Sequence, residues 1–252
     1  MPAELVFEIK DSTAFLALNR TAKKNALDGA LLRMLLDRLD EIEKNTEIKV
    51  VVLKSASRDF FCAGADLSGM KNMEQAAADL KLFAAVLKRL YGLNKPSIAQ
   101  VSGVCMGGGL GLALACSLTV ASRDAVFSTP EIHLGLYPLM ISPLIHAHCN
   151  SRKKADQFIM TGERFSAAQA LGLGMLNDVV ADIDLERRVD ELIQALGKAD
   201  PEVIDLGKKA VRDSEGRSFG EAVDGLCLRL QDLLALPGTQ KRILAFLKPG
   251  IS

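Results

Sequence analysis

Between Ser97 and Ser122 the chain has no Asp, Glu, Lys or Arg, and five glycines fall inside this stretch, all within "GVCMGGGLGLALAC" at residues 103–116. A segment so apolar must leave water, yet glycine weakens helix and strand interiors alike. Its length would cross a bilayer. Against a membrane span stand the glycines, Gln100 and several Ser and Thr, and the way the segment divides. It reads as a β-like "SIAQVSG", a glycine turn, a helical "GLGLALAC" and a β-like "LTVAS". Glycine belongs where the backbone takes an unusual conformation or another group comes very near. Two readings stay open at this point: a ligand approaches the turn, or a strand, turn and helix simply pack closely.

The flanking sequence places this segment in an α/β fold. "LVFEIK" and "AFLALN" around the turn residues of "KDST" read as a hairpin. "GALLRMLLDRLDEIEKN" puts Leu31, Leu35, Leu39 and Ile42 on one helical face. "IKVVVLKSA" is the β-branched run of a strand covered on both sides, as in a parallel sheet. "QAAADLKLFAAVLKRLYGL" is a second helix, stopped by the proline of "NKP". "ADQFIMTGERFSAAQALGLG" reads as helical and "LNDVV" as a short strand. From about Asp184 onward the chain is helical, and its leucine faces need cover, on another subunit. Residues 1–183 are thus expected to form the core domain and 184–252 a helical region.

A chain of 252 residues can bury a substantial core. Lys+Arg and Asp+Glu balance at 31 each with no long run of one sign, so the footprint of a nucleic-acid or membrane-surface binder is missing and a small molecule is the expected partner. The five cysteines, odd in number and without a CxxC pair, read as reduced and mostly buried thiols of a reducing compartment. "MPAELVFEIKDS" lacks the basic start and apolar core of a signal peptide, so a cytoplasmic location is expected.

Common cofactor signatures fail. Gly107, Gly109 and Gly111 suggest GxGxxG, but its last position falls on Leu112 or Leu114, and there is no GxxxxGK[ST], GxSxG or HExxH. The H-x-H of His146 and His148 points to different helix faces, so no metal site is expected. A glycine turn entering a helix leaves unpaired N–H groups that bind an anion or a developing oxyanion. "FCAGADLSG" similarly joins a strand to a helical region through small residues, and two such loops converging on one carbonyl oxygen make an oxyanion hole. Glu131 in "STPEIHLG" is the candidate base, since a carboxylate in apolar surroundings has a raised pKa; an exposed loop glutamate is the other reading.

With these residues in hand, "NRTAKKNAL", "FCAGADL", "NKPSIAQVSGVCMGGGLGLALAC", "FSTPEIHLGLYP" and "TGERFSAAQALGLGMLNDVV" resemble, in order and spacing, the crotonase family of enoyl-CoA hydratases and isomerases. The resemblance covers most of residues 5–180. It implies a spiral of ββα units with a C-terminal helical part that forms trimers or hexamers, an acyl-CoA thioester substrate, and no cofactor apart from the CoA that the substrate carries. Residue by residue, it makes the N–H groups of Ala65 and Gly108 the oxyanion donors and Glu131 the acid/base. It lays Lys24 and the segment Ala63, Gly64, Ala65 and Asp66 along CoA, with Phe246 over the adenine.

Three departures from the family pattern stand out. The glutamate that two-carboxylate hydratases carry two residues after the GGG is Gly111. A single glutamate suits the Δ3-Δ2 isomerisation of an enoyl-CoA better than hydration, which needs a second group for water. "YPLMISP" replaces a glycine-rich turn and is expected to put Leu139 and Met140 in the acyl pocket, and Ser117 stands where an aspartate is usual.

Overall fold

The structure, a computed structural model, describes residues 3–68 and 72–247. The chain opens with β1 (Leu5–Lys10), β2 (Thr13–Leu18), α1 (Gly29–Lys44), β3 (Val50–Ser55), β4 (Phe60–Cys62) and α2 (Met73–Gly92). It continues through β5 (Ser97–Val101), β6 (Val104–Met106), α3 (Gly108–Ala115), β7 (Leu118–Ser122) and β8 (Val126–Ser128). Then come α4 (Ser142–His148), α5 (Arg152–Thr161), β9 (Phe165–Ser166), α6 (Ala167–Gly172), β10 (Asp178–Val180) and α7 (Leu185–Gly197). The last elements are α8 (Pro201–Ser214), α9 (Phe219–Ala235) and α10 (Pro237–Leu247).

Three successive turns, β3-β4-α2, β5-β6-α3 and β7-β8-α4, repeat one step: a strand in a six-stranded sheet of order β1-β2-β3-β5-β7-β10, then a strand in a smaller sheet of order β4-β6-β8-β9, then a helix. The first turn places both β1 and β2 in the large sheet, and the last runs from β9 in the small sheet through α6 to β10 in the large one. Among the described residues only the β1–β2 and β8–β9 pairs are antiparallel. This is a spiral of ββα units, the crotonase fold. Its core follows the sequence pattern: Leu31, Leu35, Leu39 and Ile42 of α1 are all buried. In β3, Val51 and Leu53 face the main core while Val50 and Val52 face a second cluster with Ile98, Val120, Leu185 and Val189. That strand is therefore buried on both sides.

Two compact units result, Met1–Leu196 and Gly197–Ser252. α7 falls in the first, beyond the 183/184 boundary read from sequence, because Leu185 and Val189 close the second face of the large sheet. Within the second unit α8 packs on α9 and α9 on α10. "ADQFIMTGERFSAAQALGLG" is not one helix: α5 ends at Gly162, in the left-handed region at φ 62°, and Phe165–Ser166 pairs with β8 before α6 begins. Gly162 ended the helix by adopting a conformation open mainly to glycine. No helix among the described residues is long and apolar enough to cross a membrane.

Gly103 marks the corner where the chain leaves β5 for β6. Its φ is 60°, and a Cβ there would run into the Asp59 carbonyl and lie 2.7 Å from the Phe60 nitrogen. Gly92, which ends α2, has nothing within 4 Å of a built Cβ. Gly103→Ala is expected to lower unfolding stability by at least ~2 kcal/mol. Gly92→Ala should leave it unchanged or raise it by about 0.5–1 kcal/mol. Urea titration of the two variants checks this contrast.

Candidate active site

The turn between β6 and α3 is the centre of the site. Gly107 caps the helix at φ 50°, and its N–H donates to the Ser128 carbonyl at 2.9 Å. Gly108 opens the helix, where an N–H has no intrahelical acceptor. All eight residues of α3 are buried, so its first turn lies within the packed interior of the chain rather than on an open surface.

Against this turn lies the loop after β4. Ala63 N–H donates to the Lys24 carbonyl (3.0 Å), Leu27 N–H to the Gly64 carbonyl (2.8 Å), and Asp66 N–H to the Leu27 carbonyl (2.8 Å). Leu27 and Ala65 thus form a one-residue parallel bridge. In that pattern Leu27 bonds to the residues on either side of Ala65, so the N–H of Ala65 itself points away from Leu27. Gly64, at φ 96°, meets the α3 turn: a Cβ on it would lie 3.1 Å from the Met106 carbonyl oxygen and 3.5 Å from the Gly108 nitrogen. Ala65 is exposed. The two loops singled out in the sequence are therefore neighbours.

Glu131 lies in the 3-10 turn Pro130–Leu134. The turn is pinned by buried hydroxyls just before it: Thr129 Oγ1 donates to the Phe158 carbonyl (2.8 Å) and Ser128 Oγ to the Gly162 carbonyl (2.9 Å). The carboxylate comes down on Gly107, where a Cβ would sit 2.5 Å from Oε1 and 3.0 Å from Cδ. Any side chain at 107 would expel it. Glu131 is half-buried, and its Oε2 is buried without a hydrogen-bond partner. Burial raises the carboxyl pKa, opposed by a weaker hydrogen bond from its own backbone N–H. The structure thus brings together Glu131, the Gly108 turn and the Ala63–Asp66 loop.

The other glycines answer to different neighbours. A Cβ on Gly109 would lie 2.6 Å from the Cys62 carbonyl oxygen, and one on Gly108 would lie 3.1 Å from Leu27 Cδ1 and 3.2 Å from Phe83 Cζ. At Gly111 a side chain would collide with Ile141 Cγ2. Ile141, 2% exposed, is the residue of the "YPLMISP" run that reaches α3. Leu139, expected in the acyl pocket, is 72% exposed, and Met140 packs partly buried on the main core. The reason is the turn at Pro138, whose carbonyl accepts from the N–H groups of Ile141 and Ser142 (3.2 and 3.0 Å) and rotates Ile141 inward.

Of the residues expected along CoA, Lys24 is exposed with φ 50°. The Asp66 carboxylate is occupied: Ser68 and then Arg20 hold its pKa down to about 2 against the effect of burial. Phe246 belongs to the second unit and is 88% exposed. Sequence reasoning did not single out Arg20 or Ile141. Arg20 was visible inside "NRTAKKNAL", but nothing in the sequence says that the turn at Pro138 selects Ile141.

A carboxyl whose pKa is raised in the fold destabilises the native state once ionised: the protonated form is favoured below the unfolded-state value, and this advantage is lost as pH rises through the folded value. Glu131→Gln removes the ionisation. Its melting temperature is expected to exceed that of the parent at pH 8, with the difference shrinking toward pH 4, as thermal unfolding at the two pH values would show.

The enoyl-CoA hydratase/isomerase family model matches residues 8–223. The chain is 34% identical over 214 residues to the 2,3-dehydroadipyl-CoA hydratase of Escherichia coli (strain K12), covering 84% of this chain and 83% of that protein. It is 32% identical over 209 residues to a short-chain-enoyl-CoA hydratase of Clostridium acetobutylicum, covering 82% and 80%. It is similar to the crystal structure of human enoyl Coenzyme A hydratase domain-containing protein 3, with a TM-score of 0.94, 25% identity and 98% of each chain covered. With the motifs, the spiral and these likenesses in agreement, the chain belongs to the enoyl-CoA hydratase/isomerase family.

Proposed function

We propose that the protein binds an acyl-CoA thioester with its carbonyl oxygen between the N–H groups of Ala65 and Gly108, and that it shifts the double bond of a 3-enoyl-CoA to the 2 position. Lys24 and the segment Ala63–Asp66 lie along CoA in this reading, and no cofactor takes part. Glu131 removes a proton from C2. The electron pair of that C–H bond enters a dienolate whose negative charge rests on the thioester oxygen, and the two N–H groups hold it. Each such donor lowers the barrier by on the order of 3 kcal/mol. The neutral Glu131 then returns the proton to C4, and the double bond is left between C2 and C3. A raised pKa suits one group to act as base and then as acid.

The observation that carries this reading is the pairing of Glu131 with Gly111. One carboxylate, its Oε2 unpartnered, sits over the α3 turn, while the position of a second is filled by Ile141. Hydration of a 2-enoyl-CoA is the second reading, favoured by the hydratase names of the relatives. It requires another group to hold and deprotonate water. Purified protein offered a 3-enoyl-CoA and crotonyl-CoA separately is expected to form the conjugated thioester from the first and not to consume the second. Turnover of crotonyl-CoA alone sinks the isomerase reading. Glu131→Gln should cost on the order of 10²–10⁴-fold in kcat with binding intact; an unchanged property set would instead mark a binding protein without catalysis.

The proposed assembly is a homotrimer or hexamer. α9 and α10 present Phe219, Leu228, Leu230, Leu244 and Phe246 to solvent, each more than half exposed, which is more apolar surface than an isolated chain ordinarily leaves uncovered. Light scattering should return three or six times the chain mass; a monomer at micromolar concentration would contradict this.

A further inference from the structure

We propose that Arg20 is a positioning residue for the oxyanion donor Ala65: its guanidinium ties together the residues that flank the Leu27–Ala65 bridge and so fixes the direction of the Ala65 N–H. The proposal rests on the oxyanion role given to Ala65 above. Arg20 lies on the segment between β2 and α1, and a single nitrogen, Nη1, donates both to the Ala26 carbonyl (3.0 Å) and to Asp66 Oδ2 (2.6 Å). Ala26 precedes one half of the bridge and Asp66 follows the other. Nη2 pairs with Asp28 Oδ2 at 2.9 Å. Asp28 is the N-cap of α1, and its other oxygen accepts from Leu31 N–H at 2.9 Å. Nε reaches Glu4 Oε1 at 3.3 Å.

The donor loop is held through its backbone, by the Ala63–Lys24 bond and the Leu27 bridge, so its geometry follows that of the Lys24–Asp28 segment that Arg20 fastens. Ala63, Gly64 and Ala65 have almost no side chain to pack, and Ala65 is exposed. The bridge is a single residue pair, with two hydrogen bonds of 2.8 Å. The Ala65 N–H shares its peptide plane with the Gly64 carbonyl that Leu27 N–H holds at 2.8 Å, so a shift of the Leu27 segment turns that plane, and an oxyanion donor contributes only when aimed at the place where charge develops. The side chains of Arg20 and Asp66 are 13% and 9% exposed, so the pair is shielded from water in a way that surface ion pairs are not. A lysine cannot replace the arginine in full, since a point charge does not span Ala26, Asp66 and Asp28 at once.

The test compares the parent with Arg20→Gln, Arg20→Lys and Asp66→Asn, and with Arg38→Gln as an unrelated variant that loses only an exposed pair with Glu41 and a stack on Phe7. Three quantities are read: kcat and KM on whichever enoyl-CoA ester the parent converts, the fraction of bound acetoacetyl-CoA present as its enolate by ultraviolet absorption, and the affinity for saturated butyryl-CoA. Arg20→Gln is expected to lose about 10- to 100-fold in kcat and most of the enolate signal while holding butyryl-CoA within about twofold of the parent. Arg20→Lys and Asp66→Asn should fall between, and Arg38→Gln should match the parent. If Arg20→Gln does not fold, the Lys and Asn variants carry the comparison. Parent-like kcat and enolate signal in the folded variants overturn the proposal, as does a loss of butyryl-CoA affinity in step with kcat, which marks Arg20 as part of general loop structure. A parent that binds neither ester removes the acyl-CoA reading itself, and the positioning role falls with it.

Discussion

The first turn of α3 is buried, and its backbone N–H groups have no partner within the helix. A buried donor left without any partner would cost about 1–3 kcal/mol, so a buried helix start of this kind calls for an acceptor from outside the helix, and the surrounding structure is arranged around it. The spiral brings β4 and its loop alongside, sets the Glu131 turn above, and leaves the turn itself free of side chains. Gly107 admits the carboxylate, and Gly109 admits the Cys62 backbone. These approaches leave no room for a Cβ. The close-packing reading of the glycine cluster holds at Gly107, Gly109 and Gly111, each of which has a protein neighbour where a Cβ would sit; the approach of a ligand to Gly108 belongs to the proposed function.

Glu131 carries a cost of the same kind. Its carboxylate is held away from water with Oε2 unpaired, and burial raises its pKa. Among the described residues no positive side chain offsets that burial, in contrast to Asp66, whose carboxylate is pinned by Ser68 and Arg20 and kept ionised. Two carboxylates close to the same loop thus have opposite environments. One is hydrogen-bonded and kept ionised; the other is buried and disposed to hold its proton. Separation of this sort is what the proposed division, an anchoring role for Asp66 and proton transfer by Glu131, requires.

Much of this was legible in the sequence. The apolar period of α1 and the β-branched run of β3 matched the elements that formed, because each rests on a local signal of spacing; the strand and helix read in "SIAQVSGVCMGGGLGLALAC" formed as β5 and α3, while the short strand β6 between them was not foreseen, being too brief to show a period. Helix continuity through Gly162 was misread because periodicity persists on both sides of a residue that ends the helix by its φ alone. Leu139, expected to line the acyl pocket, is exposed while Ile141 packs inward, since which side chain of "PLMI" turns inward depends on hydrogen bonds to the Pro138 carbonyl, a feature of the folded turn. The Arg20–Asp66 pair spans 46 positions, beyond the reach of any local pattern. The missing second carboxylate at Gly111 was plain from the sequence; that Ile141 occupies its place was not.

The central claim is that one carboxylate moves a single proton from C2 to C4 at this turn. It is tested most directly by converting a 3-enoyl-CoA deuterated at C2 and locating the label in the product by mass spectrometry or NMR. Of the two C2 deuterons one stays at C2 of the 2-enoyl-CoA; a single-base shuttle predicts that a measurable share of the other, the one abstracted, appears at C4, the remainder being lost by exchange on Glu131. Complete loss of the abstracted deuteron to solvent in every turnover, or a 3-hydroxyacyl-CoA as the product, would contradict it.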